Sequence, residues 1–241
     1  MNLIADFGNT IIKTALFKAD EIIMQRNYSN AEKLIHDKEY YEKTQHVIIG
    51  SVTDKHTAFI NSISDKKKVM LFDANTKIPI KNLYHNALTL GSDRIAAAVG
   101  SFSLFPDENV LTIDAGTCIK FNFVNKQNEF IGGSISPGIE MRLKAMNHFT
   151  NRLPLIQADF NYEKLTGNST NESLLSGALI GAVNEVDGMI LRYLNKYENL
   201  KIVVSGGDSV YLCKQLKNRF FAYPDIVLQG LNTILNFNTE I

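Results

Sequence analysis

The 241-residue chain lacks the residue patterns that mark disulfide-rich and zinc-binding proteins. Its two cysteines, Cys118 and Cys213, do not make a disulfide framework in a chain of this size. Its five histidines lie far apart, with no His-x-x-x-His or Cys-x-x-Cys pair, so we do not expect a structural zinc site.

An excess of one charge and a long apolar run are also missing. Lys plus Arg number 25 and Asp plus Glu number 25, so the formal net charge is zero and we do not expect a nucleic-acid partner. No apolar run approaches the roughly 18 residues of a membrane span. The N-terminal stretch contains Asp6 and has no basic flank, which is not typical of a signal peptide. These absences favour a cytoplasmic protein that does not bind membranes.

Two common nucleotide-binding motifs are missing as well. There is no Gly-x-x-x-x-Gly-Lys-Ser/Thr, which excludes a Walker-type site, and no Gly-x-Gly-x-x-Gly, which leaves a Rossmann site unsupported. What remains is an ordinary globular composition, 45% hydrophobic and 21% charged, in a chain long enough for one large or two medium domains.

One short pattern is present twice. "LIADFGNTIIKTALF" and "LTIDAGTCIKFNFV" each contain an apolar run, an acid, a glycine, a threonine and then alternating residues. If one residue is skipped, Asp6-Phe7-Gly8-Asn9-Thr10 aligns with Asp114-Ala115-Gly116-Thr117. Two similar loops suggest that both act on one ligand.

The chain divides into two parts that share an order of elements. The first part has predicted strands at Leu3–Asp6, Ile11–Phe17 and "IIMQRNY", a helix "AEKLIHDKEYYEK", a strand "HVIIGSV", a helix "TAFINSIS" and a strand "KVMLFD". The second has strands "NVLTID", "CIKFNFV" and "EFIGGSI", helices "GIEMRLKAMNHF" and Thr170–Tyr197, a strand "KIVVSG", and helices "VYLCKQLKN" and "LQGLNTILNFN". We predict a mixed α/β fold with halves at residues 1–106 and 107–241.

The repeated loop is suited to phosphate chemistry. Gly8 lets the backbone approach a ligand, and the N–H groups of a tight turn favour anions. Asp6 would repel a phosphate unless a cation lies between them, which indicates Mg²⁺. One such hairpin also occurs without any function, but two copies opening two similar halves favour a functional role. The loop Ser205-Gly206-Gly207-Asp208 could hold a ribose phosphate, or it could be a simple turn.

With these motifs the chain resembles the type III pantothenate kinases of bacteria, within the actin-like, sugar kinase and Hsp70 superfamily. The motifs that carry the resemblance are "DFGNT", "LGSDRIAAAVG", "IDAGTCIKF", "GGSISPGIEMRLKAM", "TNESLLSGALIGAVNEVDGMI", "SGGDS" and "PDIVLQGLNTI". The resemblance implies two actin-like, ribonuclease H-like halves with mixed sheets flanked by helices and a nucleotide in the cleft between them. Cys118, Lys120 and Asn122 depart from the family pattern, which has an alanine-like residue, often a hydroxyl and frequently an acid there. Lys120 could face a phosphate or solvent.

The implied activity is ATP-dependent phosphorylation of the primary hydroxyl of pantothenate, the first step toward coenzyme A. Asp93 is the candidate general base; a helix N-cap is its alternative role, unless Ser92 caps the helix instead. Arg94 would bind the substrate carboxylate or the transferred phosphate, or form a surface ion pair. The implied substrate-binding residues are Tyr84, Gly91, Ser92, Asp93, Arg94 and Thr170. The implied ATP-binding residues are Asp6, Gly8, Asn9, Thr10, Lys13, Gly116, Thr117, Gly206 and Gly207.

The resemblance also implies cofactors. They are ATP, Mg²⁺ and a monovalent cation, K⁺ or NH₄⁺. Asp6 would hold Mg²⁺ and Asp114 would contact the monovalent cation, although the sequence does not separate the two roles.

The resemblance further implies a homodimer. On the helix from Thr170, one face carries Leu175, Leu179, Ala182, Val186, Met189 and Tyr193, at steps of three and four. A second face carries Ser173, Gly177 and Gly181. One face could pack on its own sheet while the other meets a partner helix, or both could be internal. In the family Thr170 reaches the partner's pocket; its alternative role is a helix N-cap.

Two other functions stay open. A kinase of the same fold could act on a different small alcohol, and a regulatory relative could keep the phosphate loops without catalysis. The presence of Asp93 and Arg94 favours the enzyme.

Overall fold

The computed structural model describes residues 1–51 and 54–239. Contacts group the chain into two units. Unit 1 comprises Met1–Asp107, Val124–Ile131 and Asp225–Ile241, and unit 2 comprises Glu108–Phe123 and Gly132–Pro224. The division into halves at residue 106 stays a prediction, and the contact-based units differ from it by adding the last helix and residues 124–131 to unit 1.

The nine predicted strands are present in the predicted order, and β6 and β11, of two residues each, lie outside the predicted segments. They are β1 (Asn2–Phe7), β2 (Ile12–Lys18), β3 (Glu21–Tyr28), β4 (His46–Ser51), β5 (Lys68–Leu71), β6 (Lys81–Asn82), β7 (Val110–Ala115), β8 (Cys118–Val124), β9 (Glu129–Pro137), β10 (Lys201–Ser205) and β11 (Phe221–Ala222). The predicted strand "HVIIGSV" ends at Val52, which lies outside the described residues.

The helices match the predicted segments with one exception. They are α1 (Ala31–His36), α2 (Lys38–Tyr41), α3 (Thr57–Ile63), α4 (Ser92–Leu104), α5 (Ile139–His148), α6 (Thr170–Leu194), α7 (Ser209–Gln215) and α8 (Ile226–Thr239). The exception is "AEKLIHDKEYYEK", which forms the two short helices α1 and α2 because Asp37 between them has φ −88° and ψ 52°. Its carboxylate accepts hydrogen bonds from Arg26 and Tyr28 on β3.

Unit 1 is a five-stranded sheet with helices on both faces. Its order is β3-β2-β1-β4-β5, antiparallel from β3 to β1 and parallel from β1 to β5. Because successive side chains of a strand point to opposite faces, Leu3, Ala5 and Phe7 pack against α1, α2 and α3. Ile4 packs on the other face, where α4 and α8 lie.

Unit 2 packs its helices on the sheet that contains β7, β8 and β10. Side chains of α5, α6 and α7 form one core with alternate residues of these strands, including Ile113, Phe121 and Val204. β10 runs parallel to β7 and to β11. β6 pairs with Glu129 and Phe130, the part of β9 that belongs to unit 1.

Helix α6 bears on the expectation that no apolar run is long enough to span a membrane. Among the described residues, it is the one helix long and apolar enough to cross a membrane by length and composition. Seven of its side chains, including Leu174, Leu179 and Val186, are buried, and they contribute to the core of unit 2. One face of α6 is therefore part of the core of unit 2.

Candidate active site

The first phosphate loop connects β1 to β2 at one edge of the unit 1 sheet. Asp6 is half-buried near the end of β1 and lies opposite Lys13 on β2, so both side chains are on the same face of the sheet. The turn is tight, because a Cβ on Gly8 would lie 3.0 Å from the carbonyl oxygen of Ile11. Lys55 Nζ donates to the carbonyl of Asn9 at 3.1 Å, which ties the loop to the segment after β4.

The motif "LGSDRIAAAVG", which contains the predicted substrate-binding residues Gly91 to Arg94, lies at the same edge. Ser92, the first residue of α4, donates its hydroxyl to the carbonyl of Ser51 at 3.0 Å. Ser51 ends β4, and it lies beside Phe7 of the parallel strand β1. The sheet therefore brings Gly91, Ser92 and the first phosphate loop to one edge of unit 1.

Asp93 is the second residue of α4 and does not cap it. The N-cap is Gly91, which makes no side-chain cap bond, so the cap roles weighed for Asp93 and Ser92 are both wrong. Asp93 is half-buried, and its Oδ1 accepts a hydrogen bond from Arg94 N at 2.8 Å. A negative charge in the first turn interacts favourably with the helix dipole. The carboxylate is thus held at the sheet edge that carries the phosphate loop.

Arg94 is buried, with 4% of its surface exposed, so the alternative of a surface ion pair is wrong. Its guanidinium carbon lies 5.5 Å from the ring centre of Tyr84 and 5.9 Å from that of Phe130. The two rings are stacked, 6.2 Å apart and 30° from parallel. A guanidinium held beside two aromatic rings keeps its planar fork oriented, which suits a carboxylate or phosphate ligand.

A cavity of about 400 Å³ opens beside the start of α4. Its small lining residues are Ala74, Ala87 and Gly91, its larger apolar ones are Phe72, Ile78, Leu88, Leu90 and Ile95, and its polar ones are Ser51, Asp73, Thr76, Asn82, Thr89 and Ser92. The volume is within the range of small-ligand sites. Sequence reasoning missed the segment from Phe72 to Ile78, because it has no motif and only the parallel pairing of β5 with β4 brings it here.

Unit 2 brings together two loops. One is the second phosphate loop, Asp114 to Thr117, and the other contains Gly206 and Gly207. Ser205 on β10 lies beside Asp114 on β7. Gly206 has φ +92°, and a Cβ there would lie 2.6 Å from Asp114 Oδ1, so only glycine fits. Asp208 N donates to the carbonyl of Ala115 at 3.0 Å. The two loops therefore meet at one edge of the sheet.

The turn before α5 joins the same edge. Gly138 N donates to the carbonyl of Thr117 at 3.2 Å, and a Cβ on Gly138 would lie 2.8 Å from that oxygen. A Cβ on Gly116 would have Gly207 N as its nearest neighbour, at 4.0 Å. Gly116, Thr117, Gly206 and Gly207 are thus grouped in unit 2 as the sequence predicts.

Lys120 takes neither of the two positions predicted for it. Its ammonium lies 2.6 Å from Asp114 Oδ2, and the side chains of Lys120 and Asp114 are only 19% and 13% exposed. Both residues are on the sheet face opposite the core, because their neighbours Ile113 and Ile119 are in the core. Lys120, which departs from the family pattern, therefore forms an ion pair with Asp114, the acid of the second phosphate loop.

The two predicted metal contacts differ in fit. Among residues 1–51 and 54–239, no three His, Cys, Asp or Glu side chains form a metal-binding group. Asp6 fits Mg²⁺, which is commonly held by one or two carboxylates, waters and substrate phosphates. Asp114 fits a monovalent cation less well, because one of its carboxylate oxygens, Oδ2, is already bonded to the Lys120 ammonium.

Thr170 is exposed at the start of α6. The N-cap is Ser169, whose hydroxyl accepts from Glu172 N at 3.3 Å, so the cap role weighed for Thr170 is wrong. Thr170 lines a concavity of about 610 Å³, together with Leu153, Gly167, Asn168, Ser169, Ser173 and Leu174.

The two predicted faces of α6 have different surroundings. Leu179, Ala182 and Val186 are buried in the core of unit 2. Ser173 and Gly177 are exposed, which rules out the alternative that both faces are internal. A Cβ on Gly177 would have no atom within 4 Å.

A family model described as type III pantothenate kinase matches residues 2–192. The chain belongs to the type III pantothenate kinase family. A relative from Cytophaga hutchinsonii, named type III pantothenate kinase, is 41% identical over 238 residues, which cover 99% of this chain and all of the relative. Membership makes the chain a kinase and agrees with the motifs from Asp6 to Asp208.

Solved structures show the fold of this pantothenate kinase family member. An inorganic polyphosphate/ATP-glucomannokinase from Arthrobacter sp. strain KM has a TM-score of 0.52 and 11% identity, covering 99% of this chain and 100% of that one. A Campylobacter jejuni protein assigned to the Baf family of transcriptional activators has a TM-score of 0.60 and 19% identity, with 99% and 100% coverage. The predicted actin-like α/β fold is confirmed.

Proposed function

We propose that this kinase transfers the γ-phosphoryl group of ATP to the primary hydroxyl of pantothenate, giving 4'-phosphopantothenate in the first step of coenzyme A biosynthesis. Family membership supports the reaction. The observation that carries it within the structure is the position of the Gly91-Ser92-Asp93-Arg94 motif, at the start of α4 beside the 400 Å³ cavity and at the sheet edge of the first phosphate loop.

The acceptor hydroxyl must lose its proton as the bond to phosphorus forms. Asp93 is the proposed base, since its carboxylate lies at the first turn of α4 and is partly accessible. The apolar cavity wall suits the dimethyl-substituted carbon of pantothenate. Arg94, stacked with Tyr84, is the proposed contact for the carboxylate of the substrate.

Each phosphate loop contains candidate ATP contacts. Asp6 would hold Mg²⁺, which neutralises the charge on the phosphate oxygens when bound. Gly8, Asn9 and Thr10 present the N–H groups and hydroxyl of a tight turn, and Lys13 adds a positive charge on the same face as Asp6. Gly116, Thr117, Gly206 and Gly207 are the proposed backbone contacts of unit 2.

The proposed assembly is a homodimer that acts in the cytoplasm, without a nucleic-acid or membrane partner. Its interface would include the exposed face of α6 at Ser173 and Gly177, where the lack of side-chain bulk permits close helix approach. Thr170, exposed at the start of the same helix, would then reach the substrate pocket of the other copy.

Release of ADP from ATP and Mg²⁺, measured with a panel of small alcohols, tests the reaction. We expect release with pantothenate and far less with other primary alcohols of similar size. Turnover that is faster with a different alcohol would reassign the substrate, and ADP release that no alcohol stimulates would contradict the kinase assignment of these residues.

A further inference from the structure

The contact between Lys120 and Asp114 gives the second phosphate loop a fixed positive charge. Lys120 Nζ lies 2.6 Å from Asp114 Oδ2, a distance typical of a short charge-assisted hydrogen bond. Less than a fifth of either side chain is exposed. In such surroundings two opposite charges interact more strongly than they do at the surface. The ion pair between Lys120 and Asp114 is therefore a partly buried part of the loop structure and not a solvent-exposed contact.

The surroundings of Asp114 are otherwise negative. Asp208 follows the Gly206-Gly207 turn that packs on Asp114. Burial raises the pKa of Asp208 above its ordinary value, and the negative charges of Glu140 and Asp114 raise it further. Three carboxylates that influence one another need a nearby cation when anionic phosphates also bind. Lys120 supplies one from the neighbouring strand β8.

We propose that the ammonium group of Lys120 takes the position at Asp114 that a free monovalent cation would otherwise occupy, so that this kinase works without added K⁺ or NH₄⁺. The inference rests on the proposed function, because it concerns the nucleotide site of the same reaction. It also replaces the monovalent-cation contact predicted for Asp114.

The chemistry of the two cations supports the substitution. A primary ammonium and a potassium ion each carry one positive charge and bind oxygen atoms at similar distances. A second cation on the same carboxylate would lie within a few ångströms of Nζ, where two like charges repel strongly in a partly buried site. The ammonium of Lys120 is part of the chain and does not have to bind from solution. Its presence at Asp114 therefore does not depend on the concentration of K⁺ or NH₄⁺ in the buffer.

The first test uses the unmodified protein. ADP release with pantothenate, ATP and Mg²⁺ is measured in buffers whose only added monovalent cation is a bulky organic one, and again with K⁺ or NH₄⁺. We expect the same rate in both. A rate that requires K⁺ would overturn the inference, whereas no pantothenate-dependent release in any buffer would instead contradict the proposed function.

The second test removes the ammonium. Lys120→Thr should lose on the order of 10²-fold in rate without K⁺, as expected for one electrostatic stabiliser, and should recover when K⁺ or NH₄⁺ is added. Lys201→Thr is the matched control, since Lys201 lies on β10 of the same sheet and pairs with Glu108 at 3.4 Å. It should show no response to K⁺.

A third measurement does not depend on turnover. Tl⁺, a K⁺ substitute with a strong anomalous signal, is soaked into crystals of the protein and of Lys120→Thr. We expect a Tl⁺ peak beside Asp114 only in the variant. A peak at Asp114 in the unmodified protein, or none in a folded Lys120→Thr that K⁺ also fails to rescue, would show that Lys120 does not stand in for a cation.

Discussion

The first turn of α4 places three side chains with separate environments next to one another. Ser92 fixes the turn to β4, Arg94 is buried against Tyr84, and Asp93 stays half-exposed between them. An amide has the same shape as a carboxylate and keeps an oxygen that can accept from Arg94 N, so Asp93 can be replaced by asparagine with little change in packing. Chemistry and stability are therefore separable at this position.

Asp93→Asn should fold normally, bind ATP and lose about 10²–10⁴-fold in kcat, because an amide cannot accept the hydroxyl proton. Asp65→Asn, at an exposed acid of the same unit, is the control and should keep full activity. The measurements are steady-state ADP release and nucleotide binding by calorimetry. Near-normal kcat in Asp93→Asn would remove Asp93 from the role of base.

Asp208→Asn should stabilise the protein at neutral pH. The raised pKa of Asp208, caused first by burial and then by Glu140 and Asp114, means that its ionised form is disfavoured in the folded state. A folded carboxyl that binds protons more tightly than the unfolded one loses stability as pH rises above its ordinary value of about 3.9. The gain from the amide should therefore be full at neutral pH and should shrink as pH falls toward that value.

Unfolding midpoints at a series of pH values measure this effect. Glu163→Gln, at an exposed acid of unit 2, is the control and should give no comparable gain at neutral pH. If Asp208→Asn were less stable than the unmodified protein at pH 7, or gained the same amount at every pH, the burial argument would be wrong.

At the scale of elements, helices α4 and α8 of unit 1 approach each other closely at two glycines. A Cβ on Gly230 would lie 2.8 Å from Gly100 N, and one on Gly100 would lie 3.1 Å from Gly230 N. The two glycines therefore allow the helices to touch along their backbones, and the apolar residues beside them, such as Val99 and Leu231, complete the contact.

Gly230→Ala should separate α4 from α8 and reduce the free energy of unfolding by about 1–3 kcal/mol, the usual cost of overpacking. Gly188→Ala is the matched control, because a Cβ there meets no atom within 4 Å and alanine favours the helix by about 0.5–1 kcal/mol. Denaturant unfolding of both variants measures the difference. Equal stability of Gly230→Ala and the unmodified protein would show that the helices can adjust without loss.

The sequence predicts a strand or helix correctly where the pattern of apolar residues is regular over the whole segment. The apolar run at Leu3–Asp6 predicts a strand, and the structure has one at Asn2–Phe7, with Ile4 buried on one face and Leu3, Ala5 and Phe7 on the other. The break between α1 and α2 was not accessible, since it depends on Asp37 bonding to side chains of β3. Local pattern predicts an element but not the contacts that interrupt it.

Some residues of the candidate site could likewise be predicted from the sequence, and others could not. Motif residues such as Ser92 and Gly206 were found because glycine and hydroxyl residues at fixed spacing have a chemical meaning. The partner of Lys120 could not be read from the sequence, because an alternating strand leaves open which neighbour a long side chain meets. The cavity-lining residue Phe72 gave no signal, since its role comes from strand pairing alone.

At the scale of the whole molecule, the prediction concerns two copies. An inactive Asp93→Asn chain mixed with an inactive Thr170→Ala chain should regain activity, because a heterodimer in which Thr170 serves the Asp93 site of the other copy contains one intact site. Activity is measured after subunit exchange has been verified by mass labels.

Thr170→Ala must be strongly impaired by itself for this test to apply. Ser173→Ala, one turn along the same exposed face, is the control. It should be as active by itself as the unmodified protein. Sedimentation at assay concentration reports the oligomeric state. A monomer, or no rescue despite exchange, would contradict the shared site.

The last helix has a consequence for how the protein is made. α8 follows all the other described elements along the chain, yet it supplies Leu228, Leu231 and Ile234 to a core whose other residues, such as Ile4 and Ile48, leave the ribosome much earlier. The N-terminal unit cannot close that core until α8 has been translated, and it must wait until then with an apolar sheet face uncovered. Nascent chains stalled before Ile226 should accordingly be the form of this protein that chaperones hold and proteases degrade most readily.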